Sequence, residues 1–317
     1  MHAKPSVRAS PIAAPTGCSS SPASDIDGCD PGGLTWPTRK EGHLWVVVEA
    51  VVIGMLVAMV GTIPRNLIFA ANLRYFPGFP WAVPVTAAYL WLFWRYLGGA
   101  GPPESRAEQR RTSLRARRIS ARLWAWALLA GGLGIVALVL ALRVANRLVV
   151  LPPQRLPEFG SVPQNTVLSL LLMAAPVAGI IEEAAFRGYM QGPIERRLGL
   201  IPAILITGTM FAVAHLDFTL VLWPYYVAVA AIYGTVTSVT KSILPAVVLH
   251  TAGNLYSNLD LWIHGQAEWQ AASSSSTLIW KTGADSAFWT ASGGVAVAAA
   301  MTLWAYLRLA RAARSLP

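Results

Sequence analysis

The chain has 317 residues, 55% of them hydrophobic and only 13% charged, with a formal net charge of +10. A soluble domain of this length carries about 25% charged residues, so the composition excludes an ordinary water-soluble enzyme and points to a multi-spanning membrane protein. The arginines cluster beside apolar runs, which fits membrane orientation and anionic head groups and argues against nucleic acid as a partner.

Residues 1–42, rich in Pro, Ser, Ala and Gly, read as a disordered tail. They hold the only two cysteines, Cys18 and Cys29, which have no metal-ligand spacing and no core to staple. The first apolar run begins near Leu44, beyond the place of a cleavable signal. From there the pattern predicts an all-α bundle of about eight spans around a polar cavity, at roughly twenty apolar residues per crossing. The spans are Leu44–Ile63, Phe79–Leu97, Leu123–Leu142, one from Val167, Leu200–His215, Trp223–Val239, Ile243–Asn258 and Phe288–Leu307.

Residues 43–163 thus form an N-terminal group of helices with a basic loop, ending in a loop that carries Pro152, Pro153, Pro157 and Pro163. Residues 164–258 form a polar-motif core. Residues 259–317 hold a polar loop with Ser273–Ser276, the last span and a basic tail. The loop between the second and third spans has Arg106, Arg110, Arg111, Arg115, Arg117, Arg118 and Arg122 against Glu104 and Glu108. Arg308, Arg311 and Arg314 follow the last span, and an even number of crossings puts both basic clusters, and both termini, on the cytoplasmic side of the cell membrane.

Three constellations in the core carry groups able to move a proton: Glu182-Glu183-Ala-Ala-Phe-Arg187, Phe211-Ala-Val-Ala-His215 and His250-Thr-Ala-Gly-Asn254. Ionisable side chains in apolar helices are costly and mark functional sites. Glu183 and Arg187, four apart on one helix face, read as a structural pair, while Glu182 is rotated by about 100° and is available as a base. Burial disfavours its charged form and brings a carboxyl toward the range of a general base. Phe211 stacks on the His215 face and limits that ring's rotamers, and Asp217 just beyond is a candidate partner. His250 and Asn254 share a face and can both donate to an oxyanion.

Taken singly, each motif has an ordinary explanation: a helix end meeting water, a hydrogen-bonded packing histidine, a polar contact between helices. With a rise of about 1.5 Å per residue, Glu182, His215 and His250 lie about 14, 22 and 12 Å from the cytoplasmic ends of their helices, so one layer is compatible with all three. Three independent packing accidents are less economical than one site. Glu49 reads as snorkelling, His43 and His264 as surface residues, and tryptophans near span ends, such as Trp45, Trp223 and Trp289, as interfacial anchors.

The three motifs, in this order on successive membrane helices, resemble those of the CPBP intramembrane proteases, the CAAX-protease and bacteriocin-processing group. Gly188 after Arg187 also fits, and the likeness covers about residues 165–258. The resemblance implies an endopeptidase that acts on a membrane-tethered protein or peptide. It gives Glu182 and His215 the activation of water, His250 and Asn254 the oxyanion, and Glu183, Arg187 and Phe211 supporting roles. It leaves two routes open, one metal-free and one with zinc on Glu182, His215 and His250, since three N/O ligands plus water is a catalytic zinc pattern. The short stretch after His215 is a departure that narrows the expected substrate entrance. The competing class is a non-catalytic membrane scaffold or transport factor that uses the same residues as a buried network or ligand site.

Overall fold

The structure, a computed structural model, describes residues 42–151, 160, 162–215, 220–265 and 278–315. The expected N-terminal tail up to residue 41, Pro152, Pro153 and Pro157, Asp217 with the stretch after His215, and Ser273–Ser276 lie outside the described residues.

Every regular element among the described residues is helical: α1 His43–Tyr75, α2 Ala82–Leu97, α3 Ala107–Leu114, α4 Ala121–Leu148 and α5 Gln164–Glu182. The chain then continues without a break through a π-helix, Glu183–Met190, into α6 Gln191–Leu198. After these come α7 Leu200–Ala214, α8 Trp223–Thr240, α9 Leu244–His264 and α10 Ser286–Arg314. Each expected span falls on one of these helices. Five stretches are long and apolar enough to cross a membrane: α1, α4, the continuous α5–α6 rod, residues 220–240 and α10. At 16 and 15 residues, α2 and α7 fall short of that length. The apolar run of α9 is interrupted by His250, Asn254, Asn258 and Asp260. Eight crossings are therefore not established. The protein is an integral membrane protein whose apolar side chains, Leu56, Val60, Ile201 and Leu303 among them, face outward.

Two expected boundaries move. The first helix does not end at Ile63 but passes through Pro64 to Tyr75. Proline lacks the N–H that would bond the carbonyl four residues earlier, and the Tyr89 hydroxyl donates to that Val60 carbonyl instead. Nor does the fourth rod end at Gln191, where Gly192-Pro193 is expected to stop it: it runs on through α6 to Leu198.

α10 lies along α4, α5 along α9, α7 along α8, and α1 along the π-helical segment. Lipid tails are as apolar as leucine, so membrane helices associate through close packing at small residues. Gly54 and Gly61 let α1 approach: a Cβ at Gly54 would stand 2.8 Å from the Met190 Cβ, and one at Gly61 3.0 Å from the Ile181 Cγ1.

The basic loop is partly built into the protein. Arg110 is buried and donates to the carbonyls of Tyr96, Pro103, Ala100 and Gly101 at 2.9, 3.1, 3.3 and 2.7 Å. Arg115 pairs with Glu195 at 3.2 Å. Arg106, Arg111, Arg117, Arg118 and Arg122 stay exposed, as charges that orient a membrane protein must.

Candidate active site

The site is organised by the change from α-helix to π-helix at Glu182–Glu183. π-Helical turns are rare and recur at functional positions because they re-aim side chains. Here the two adjacent carboxylates, expected to diverge, reach the same ring. His250 donates Nδ1–H to Glu183 Oε1 at 2.7 Å, and its Nε2 stands 3.6 Å from Glu182 Oε2. The Glu183 carboxylate offers only lone pairs, which fixes the proton on Nδ1.

Accessibility separates the two acids. The Glu183 side chain is 0% exposed and that of Glu182 22% exposed, so water and a substrate can meet Glu182 alone. Glu183 also forms a fully buried ion pair with Arg187, Nη1 to Oε1 at 3.2 Å, as the four-residue spacing predicts. The guanidinium is held between rings, 5.0 Å from Phe211 and 5.4 Å from Tyr233, a cation–π arrangement that is strongest away from water.

The helix contact that makes this possible is at Gly179, one turn before Glu183. A Cβ there would lie 2.9 Å from the Val247 carbonyl oxygen and 3.0 Å from the Thr251 nitrogen, so only glycine lets α5 lie this close to α9. On the other side, α3 rests on the π-helix at Gly188, where a Cβ would stand 3.0 Å from the Ser113 carbonyl.

His215 follows the last residue of α7 and donates Nδ1–H to the Phe211 carbonyl at 2.8 Å, which leaves Nε2 as the acceptor. Phe211 is the common neighbour of the motifs. Its ring centroid lies 4.6 Å from that of His215, 6.2 Å from His250 and 5.1 Å from Phe186. The sequence reading did not single out Tyr226 and Tyr233, two turns apart on α8. Tyr226 packs 4.7 Å from the His215 ring and Tyr233 stacks on His250 at 5.0 Å. The available signal was a pair of polar-tipped aromatics seven residues apart within an apolar helix.

Glu182, Glu183, Arg187, Phe211, His215 and His250 are thus gathered from the α5–α6 rod, α7 and α9. Asn254 lies one turn beyond His250, half-buried, with no hydrogen bond among the described residues. The zinc set does not fit this arrangement. Among the described residues no three His, Cys, Asp or Glu side chains converge as a metal site.

Residues 164–256 match the family described as type II CAAX prenyl endopeptidase Rce1-like, a stretch that contains every motif residue. This segment is similar to that family. No curated protein and no solved structure matches the chain. The matched stretch holds the residues that meet around Phe211 and His250. α1, the basic loop and α10 lie outside the matched stretch, although α1 packs directly on its π-helix.

Proposed function

We propose that the chain is an intramembrane endopeptidase that hydrolyses a peptide bond of a membrane-tethered protein or peptide without a metal. The observation that carries this reading is the asymmetry of the twin acids about one imidazole. Glu183 is sealed and paired, whereas Glu182 is open and 3.6 Å from His250 Nε2. One carboxylate is spent on fixing the ring; the other is left for chemistry.

In this reading Glu182 takes a proton from water as the water oxygen bonds to the scissile carbonyl carbon. His215, its tautomer fixed by Phe211, accepts from that water through Nε2 and orients it. His250 donates Nε2–H to the developing oxyanion, and Asn254 adds an amide N–H one turn away. As the C–N bond breaks, the proton passes from Glu182 to the leaving nitrogen and the carboxylate is restored. In this reading the basic loop and the C-terminal arginines favour the cytoplasmic side of the cell membrane for both termini.

The test compares vesicles from cells that express the full chain with vesicles that carry Glu182→Gln. Terminal peptide enrichment should find cleavage products released by the former and absent from the latter. Identical product sets, with both proteins inserted and folded, would refute the peptidase and favour a scaffold or transport role.

A further inference from the structure

Arg65 stands in the part of α1 that packs on the site helix, outside the segment that matches the family. The Tyr89 bond to the Val60 carbonyl lets α1 run on past Pro64 and keeps Arg65 helical and within the bundle. Gly54 meets Ala185 and Met190 whereas Gly61 meets Ile181, so the two helices run antiparallel and the Gly61 contact is beside Glu182. Arg65 is one turn past Gly61 on the same face. Helical side chains lean toward the helix N-terminus, which carries the guanidinium back to the level of Ile181 and Glu182.

The partners of this cation are incomplete. Its charge and that of Glu182 act on one another, yet Arg65 forms no ion pair or hydrogen bond among the described residues. Its Nε is buried without an acceptor, and its ring contact is Phe69 of its own helix at 5.4 Å. Glu182 itself meets His250 of α9, Nε2 to Oε2 at 3.6 Å. Arg187 is committed to Glu183. An arginine kept in an apolar helix without a hydrogen-bond or ion-pair partner is expensive, and such a residue is a functional candidate.

We propose that Arg65 receives the negative charge that develops on the scissile carbonyl oxygen. The inference rests on the peptidase reading. As water adds to the carbonyl carbon, the C=O π pair moves onto oxygen, and an Arg65 N–H donates to it. The pair returns when the C–N bond breaks and Glu182 delivers its proton to the leaving nitrogen.

The experiment follows the initial rate of release of the Glu182-dependent peptides from vesicles that carry wild-type chain, Arg65→Ala, Arg65→Gln or Arg65→Lys. Loss of one oxyanion donor should slow Arg65→Ala and Arg65→Gln about a hundredfold or more. Arg65→Lys should keep a larger share, and added guanidinium should restore Arg65→Ala in a dose-dependent way. Full activity of Arg65→Ala or Arg65→Gln, with Glu182→Gln inactive, would overturn the Arg65 role and leave the peptidase standing. So would a loss that neither lysine nor guanidinium relieves, which is the mark of a packing role. If no Glu182-dependent peptide appears, the peptidase reading falls and takes the Arg65 role with it.

Discussion

Replacing Gly179 by alanine tests the helix contact on which the site depends. The new Cβ would lie 2.9 Å from the Val247 oxygen and 3.0 Å from the Thr251 nitrogen. Both are backbone atoms and cannot swing aside. Ordinary contacts of carbon begin at about 3.5 Å, so α5 and α9 must part by roughly 0.5 Å or twist. The Glu183–His250 hydrogen bond, 2.7 Å long, would stretch to the limit of about 3.2 Å for N–H···O. Alanine is a better helix former than glycine by about 1 kcal/mol, but overpacking costs about 1–3 kcal/mol, so a net loss of stability is expected. The larger effect is on chemistry, because an error of about 1 Å in a catalytic group costs roughly a hundredfold in rate. The assay is release of Glu182-dependent peptides together with thermal unfolding in detergent, for Gly179→Ala and for Gly179→Ala with Thr251→Ala. The second change removes the threonine hydroxyl but not the backbone clash, so it should not restore the rate. Wild-type activity in Gly179→Ala, or full rescue by Thr251→Ala, would refute the account.

The twin acids should separate by assay. Glu182→Gln should abolish cleavage with little change in thermal unfolding, whereas Glu183→Gln leaves Arg187 buried without its partner and should destabilise by about 3–5 kcal/mol in detergent unfolding. Tyr233→Phe keeps the ring stacked on His250 and should retain most activity. Tyr233→Leu loses an aromatic contact worth about 0.5–1.5 kcal/mol and should slow peptide release by up to about tenfold. Asp285 caps α10 by accepting from the Phe288 N–H at 2.9 Å and pairs with Arg147 at 3.1 Å. The Phe288 N–H first, and Arg147 next, hold its carboxyl below the usual range. Its contribution is therefore complete above the ordinary carboxylate pKa and is lost as pH falls through the depressed one. The difference in unfolding temperature between wild type and Asp285→Asn should be present at neutral pH and vanish in strong acid.

Much of the site was legible in the chain because its chemistry is local. The spacing of Glu183 and Arg187 predicted their pair, and Phe211 and His215 met as a four-residue spacing requires. The sharing of His250 by both acids was hidden, since a regular α-helix turns Glu182 about 100° away from Glu183. His250, reaching across from α9, presents one ring nitrogen to each acid. The α8 tyrosines were missed because an aromatic residue in an apolar helix looks like packing until its neighbour is known. Arg65 was missed because an apolar-run criterion ended the first span at Ile63, and no local rule says that Tyr89, on another helix, will satisfy the carbonyl freed by Pro64.

By itself the sequence determined that this is a helical membrane protein, with its charges gathered at the loops and three proton-carrying motifs in its apolar core. Hydropathy and helical spacing are properties of neighbours along the chain, and they suffice for that. The tertiary structure alone decided which acid is sealed and which is open, which ring each histidine rests on, and that α1 brings a cation to Glu182. Those outcomes depend on how closely two helices can approach, and this is set by a few glycines meeting backbone from distant parts of the chain.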